Sequence, residues 1–168
     1  MKPLRIFAVT FALALGLAAL LAGCAGYAPA GVAAGQPESD VVRTMGPPTG
    51  RYALPGGGAR LEYARGPYGR HTYMIDLDGT GRVERVAQVL TEANFLRVAP
   101  GMGRNDLLLL LGRPGEVFGV AVRPAQVWNW RYPTNDCLWF QATVTPDGRV
   151  LDAGRGVDPH CDAHTNIQ

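Results

Sequence analysis

The chain has 168 residues, with 16 Lys and Arg against 14 Asp and Glu, which is long enough to bury a core that is stable alone. Two of the basic residues, Lys2 and Arg5, stand at the very start, and beyond them the balance is 14 against 14 with every cation an arginine. That neutrality excludes an electrostatic case for binding nucleic acid or an anionic membrane surface.

Met1 to Arg5 carry the two early charges, Ile6 to Leu21 are almost wholly apolar, and Ala22-Gly23-Cys24 follow. A charged start, an apolar run and small residues at its end form an export signal, here residues 1–23. The run is shorter than the ~20 residues of a spanning helix. Leu21-Ala22-Gly23-Cys24 resembles the bacterial lipobox, in which cleavage precedes a lipid-modified cysteine. The resemblance implies acylation of Cys24, and several acyl chains hold stably where a single one does not. Ala25, where an inner-membrane retention signal has Asp, implies the outer membrane on its periplasmic side. Residues 24–34 are small, Gly/Ala-rich and broken by Pro29, as in a tether.

Residues 35–90 and 91–168 then read as two copies of one unit. Asp40, Gly46 and Pro48 match Asp106, Gly112 and Pro114 at an offset of 66, and Gly81-Arg82-Val83 matches Gly148-Arg149-Val150 at an offset of 67. In the first copy Pro37 opens a short helix whose Val41, Val42 and Met45 share a face, and Gly46-Pro47-Pro48 stops it. Period-two patterning then predicts strands near Arg51–Ala53, Ala59–Ala64, His71–Leu77 and Arg82–Val89. The second copy adds an opening helix, Glu92 to Val98, capped by Thr91. A Leu-rich helix closed by Gly112 and Pro114 follows, with strands near Glu116–Val122, Gln126–Tyr132, Leu138–Thr145 and Arg149–Arg155. The expected fold is α+β: two tandem repeats of short helices plus an antiparallel β-meander, with the helices packed on one face. Side by side, the meanders would share one sheet of roughly eight strands.

Asn94-Phe95, Pro100-Gly101-Met102, and a short apolar helix ending Leu111-Gly112-Arg113-Pro114 resemble the SmpA/OmlA (BamE-like) family of small outer-membrane lipoproteins. The tandem arrangement also resembles that of the β-lactamase inhibitor proteins. The first resemblance implies a protein-binding role in outer-membrane assembly, with envelope proteins such as the β-barrel assembly machinery as partners. The second implies an inhibitor or ligand-binding module. The matched residues form a turn, a helix and a stop, so they carry fold more directly than function.

No enzyme signature stands out, and no cofactor is implied. Cys137 and Cys161 form an even pair once Cys24 is lipidated, which suggests a disulfide in an oxidising compartment. The competing reading is a metal site from His160, Cys161, Asp162 and His164, whose spacing does not hold a fixed tetrahedron. His71 has no nucleophile at triad spacing. Glu62, Asp76 and Asp78 read as solvated positions. Trp128, Trp130 and Tyr132 share one strand face with apolar counterparts in the first repeat, so they read as core. In the next strand Leu138, Phe140, Ala142 and Val144 point inward and Trp139, Gln141 and Thr143 outward, as do Thr72, Met74 and Asp76 in the first repeat. Trp139, Gln141 and Thr143 are therefore a candidate partner surface. An outward Trp139 is either covered by the chain's own tail or left as an anchor for a partner.

Overall fold

The computed structural model describes residues 28–162. The predicted export signal, the expected lipidation position Cys24, the first residues of the predicted tether and His164 lie outside the described residues. From residue 28 the predicted tether is part of the first unit, with Val32 packed against its core.

The first repeat runs α1 (Glu38–Met45), β1 (Gly50–Ala53), a 3-10 turn at Pro55–Gly57, β2 (Ala59–Ala64), β3 (Thr72–Leu77) and β4 (Val83–Gln88). The second runs α2 (Glu92–Phe95), α3 (Arg104–Leu111), β5 (Glu116–Gly119), β6 (Gln126–Arg131), β7 (Leu138–Val144), β8 (Val150–Val157) and a single turn α4 (Pro159–Asp162). Thr91 caps α2 by accepting from the Asn94 amide at 3.4 Å.

Neither α1 nor α3 has a side-chain cap at its start, where Pro37 and Gly103 stand. The backbone of the last hairpin in each repeat supplies the acceptor. The Glu38 amide donates to Gly81 O at 3.0 Å, and the Arg104 amide to Gly148 O at 2.8 Å. The repeated Gly-Arg-Val tripeptide completes the joint: Arg82 donates to Gly35 O (2.8 Å) and Arg149 to Gly101 O (3.1 Å). At the other helix end Gly46 and Gly112 hold φ of 80° and 78°, a region that favours glycine. Their carbonyls accept from the Tyr63 hydroxyl (3.1 Å) and the Trp130 indole N–H (3.0 Å). The two aromatic residues thus do the same work in the two repeats.

The strands form two separate four-stranded antiparallel meanders, in the orders β1-β2-β3-β4 and β5-β6-β7-β8. This corrects the expectation of one eight-stranded sheet. The reason lies in the Leu-rich helix. On the front of the first sheet, Val41 and Met45 of α1 are buried with Leu61, Tyr63, Ile75 and Leu77. On the front of the second, Leu107 and Leu111 of α3 are buried with Trp128, Trp130 and Phe140, so the aromatic stripe of β6 is core. That second cluster continues through Met74, with Tyr52 and Ala87, on the back of the first sheet. Helix α3 therefore lies between the sheets, and the layers run α1, sheet one, α3, sheet two.

This layering corrects the outward face assigned to the first repeat. Thr72 and Met74 are buried, and Glu62 and Asp76, expected in solvent, are 0% and 8% exposed. It also accounts for the difference between the helices. Arg43 and Thr44, on the free side of α1, are replaced in α3 by Leu109 and Leu110. A helix covered on two sides is apolar around most of its circumference.

Candidate functional site

Two places gather polar chemistry: the joint between the repeats, and the back of the second sheet where the tail returns. At the joint Glu62 is fully buried. Its carboxylate accepts from Thr49 Oγ1 (2.8 Å), from the Arg113 amide (3.1 Å) and Nε (3.0 Å), and from the Tyr52 hydroxyl. Burial first, and the bond to Glu62 second, push the Tyr52 hydroxyl well above its ordinary value. Beside this joint, a cleft of about 340 Å³ opens between the back of sheet one and the α2–α3 segment. Arg60 in it is committed to Asp76 (2.6 and 2.8 Å) and to Leu109 O (2.7 Å). Those bonds to Asp76 raise its already high pKa further. Arg85, Arg97 and Asp106 stand on the cleft wall over Met102 and Leu110.

On the back of sheet two, β6 and β7 set Arg131 opposite Trp139 and Asn129 opposite Gln141. Arg131 is 8% exposed and pairs with Glu116 at 2.6 Å. It also holds Asp158 through Nε and, at 3.0 Å, through Nη2, and it donates to Pro67 O at 2.6 Å. Its guanidinium lies over the rings of Tyr68 (5.7 Å) and Trp139 (5.4 Å). The Asp158 bonds come first in raising its pKa, against the opposing effect of burial. For Asp158 itself, burial is the largest influence and acts upward. The Arg131 bonds, the His160 amide and nearby cations together outweigh it and hold the carboxyl below its ordinary value.

The tail is fastened next to Cys137. The Asp158 amide donates to Cys137 O (2.9 Å) and the Cys161 amide to Asp158 O (3.0 Å). Both cysteines are thiols in the structure. The hydrogen bond between the Cys161 and Cys137 sulfurs, then burial, push the Cys161 thiol up to about 11. Cys137 holds φ of 50°, an uncommon value for a residue with a side chain. His160 sits edge-on to Tyr68 at 6.1 Å and 3.5 Å from Glu116. Among the described residues no three His, Cys, Asp or Glu side chains converge as metal ligands. His71 stacks on Tyr73, with rings 5.8 Å apart.

Of the candidate partner surface, all three residues lie on the back face as read from the sequence, but Trp139 is 3% exposed. Arg131 and Phe118, whose ring lies 5.9 Å away, cover it. Trp139 therefore offers no exposed anchor in this structure, which corrects that alternative. Its indole N–H is the one buried side-chain polar atom without a partner among the described residues. Gln141 donates to Asn129 Oδ1 (2.9 Å) and Thr143 to Asp152 Oδ1 (2.7 Å). The residues missed by sequence reasoning are Glu62, Arg113 and Arg131, each paired across a separation that no local pattern reveals.

No family model and no curated protein matches the chain. Among solved structures, it is similar to a DUF4309 family protein (YjgB) from Bacillus subtilis at 14% identity and a TM-score of 0.29, covering 73% of this chain and 78% of that one. It is similar also to a cysteine-rich secretory protein (SAV1118) from Staphylococcus aureus at 12% identity and a TM-score of 0.29, covering 77% of this chain and 46%, less than half, of that one. Overlap at that level bears on neither fold nor function, and the reading of this chain rests on its own residues.

Proposed function

We propose that this is a non-catalytic lipoprotein held in the outer membrane through Cys24, facing the periplasm, with a protein-binding role in outer-membrane assembly or envelope integrity. The observation that carries this reading is Leu21-Ala22-Gly23-Cys24 at the end of an apolar run that is itself preceded by charge. The folded part supports it in one respect. Among the described residues its buried charged groups Glu62, Asp76, Arg131 and Asp158 are all engaged in ion pairs that join segments of the chain. No helix among the described residues is long and apolar enough to cross a membrane. The expected partners are envelope proteins, with the β-barrel assembly machinery first among them, as the SmpA/OmlA-like motif implies. Cys24→Ser should abolish acylation and release the protein from the membrane fraction. Persistence of that variant in outer membranes at high salt would show another means of attachment. Co-purification of assembly-machinery subunits with the acylated protein tests the role itself.

The inter-repeat cleft favours a second reading, the ligand-binding module. Its 340 Å³ falls at the small end of ligand sites, and Arg85 and Arg97 face it. We also propose that Cys137 and Cys161 are joined in the periplasm. A loop of about 25 residues closed this way is worth ~3.5 kcal/mol in the chain-entropy model. Labelling of both thiols in denaturant without reductant would refute it.

A further inference from the structure

Four strands end the two sheets: β1, β4, β5 and β8. An end strand presents a row of unpaired N–H and C=O groups, which proteins protect by shortness, charge, proline or cover. β1 and β5 are four residues each. β4 carries Glu84 and Arg85, both exposed. β8 has eight residues, Val-Leu-Asp-Ala-Gly-Arg-Gly-Val, most of them exposed and none a proline or lysine. Its two charges are already occupied: Asp152 accepts from Thr143 and Arg155 pairs with Glu92. At its start the Val150 amide donates to Met102 O (2.9 Å) and the Val150 carbonyl accepts from the Gly101 amide (2.7 Å); beyond Val150 this longest edge of the molecule is its least protected one.

Next to it on the front face, α2 and the segment after it border a groove of about 400 Å³, lined by Phe95, Leu96, Val98, Phe140 and Ala153 and, at the ion pair, by Glu92 and Arg155. Leu96 is 85% exposed there. Among the described residues the first repeat shows no counterpart of α2.

We propose that β8 is a strand-addition site: an extended polypeptide segment pairs with its free edge and places alternate apolar side chains in the groove beside Leu96. Main-chain pairing supplies affinity that does not depend on sequence, and the alternate side chains supply selectivity. A second copy of this chain is the poorer occupant. A two-fold axis between two antiparallel β8 strands keeps front face with front face, so only residues of one face stand opposite each other. Asp152 lies on the back, opposite Thr143, and Arg155 on the front, opposite Phe140. The two charges of β8 therefore cannot meet across such an axis. The proposal deepens the protein-binding role and rests on it for the physiological partner.

The test titrates the detergent-solubilised full chain into a fluorescein-labelled decapeptide of alternating Val and Thr with lysines at its ends. Expected are saturable binding and slowed amide exchange in β8, with β1 and β5 unchanged. Leu96→Asp, at an exposed position and checked for an unaltered unfolding midpoint, should weaken binding about tenfold or more. N-methylation of alternate peptide amides should abolish it. Equal binding by a peptide with its valines in one block, by the N-methylated peptide or by the Leu96→Asp chain overturns the proposal. So does protection outside β8, or dimerisation through β8 that the peptide does not compete away. Peptide binding at β8 together with an empty envelope pull-down would leave the edge standing and remove the proposed role. A pull-down that Leu96→Asp leaves intact would do the reverse.

Discussion

At Glu62 a carboxylate is withdrawn from water beneath Arg113, with Tyr52 and Thr49 closing around it. Arg113 is itself half exposed, so its charge stays solvated if the partner is lost. The buried donors are worse placed, because removing their acceptor leaves them unsatisfied. Glu62→Ala should therefore destabilise the protein by ~3 kcal/mol, below the upper end for a broken buried pair, as read from denaturant midpoints. Asp158 gives a prediction in pH. Its carboxyl is held below the ordinary value, so its contribution is complete above the unfolded pKa near 3.8 and is lost as pH falls through the lower folded value. Acidification below about pH 3.8 should thus release the tail from Arg131, shifting the Trp139 indole N–H resonance. In Asp158→Asn that resonance should be displaced already at neutral pH and lack the acid step.

At the scale of elements, the two helix stops offer an internal control. Gly46 and Gly112 have the same backbone conformation, and a side chain at either is strained. A Cβ at Gly46 meets nothing within 4 Å, whereas at Gly112 it comes to 2.8 Å from Thr72 Cγ2, 3.2 Å from Met74 Cε and 3.3 Å from Glu62 Cδ. Gly46→Ala should cost ~1–3 kcal/mol from backbone strain alone. Gly112→Ala should cost a further ~1–3 kcal/mol, since the back of sheet one cannot withdraw. Equal losses in thermal unfolding would mean that α3 is not seated on that sheet. The elements themselves were legible in the sequence: every strand lies within a few residues of its period-two segment, because turn residues and alternation are local signals. Facing was legible too, with Trp139 turned to the other side of the sheet from Phe140. The stacking of the sheets was not, because the pattern of β3 shows only that Met74 differs in facing from Ile75, not what covers it. The one clue lay in comparing the helices, where Leu109 and Leu110 replace Arg43 and Thr44. Arg131 with Asp158 was out of reach for the same reason: a buried ion pair 27 residues apart has no period.

For the whole molecule, the decisive feature is that α3 serves two cores. A chain of stacked units is stabilised by intrinsic terms and by interfaces between neighbours, and its end surfaces are polar. Here α1 closes one end with Glu38, Asp40 and Arg43 outward, and the back of sheet two closes the other with its hydrogen-bonded Asn129, Gln141, Thr143 and Asp152. Between them sheet one contributes Met74 to the core cluster of sheet two, and Glu62 and Arg60 bind the end and the backbone of α3. Losing sheet one would expose Leu109 and Leu110 of α3 and uncover the core cluster that Met74 completes. The two repeats should accordingly unfold as one. All three tryptophans lie in the second repeat, so their fluorescence reports that repeat alone. Ile75→Ala removes a fully buried side chain from the core of the first repeat, a cluster that holds no tryptophan. It should cost ~2–5 kcal/mol, and in a cooperative molecule the tryptophan midpoint must move by the whole of that amount. If the tryptophan midpoint stays in place while β3 amides exchange faster, the repeats are independent units and the shared helix couples nothing.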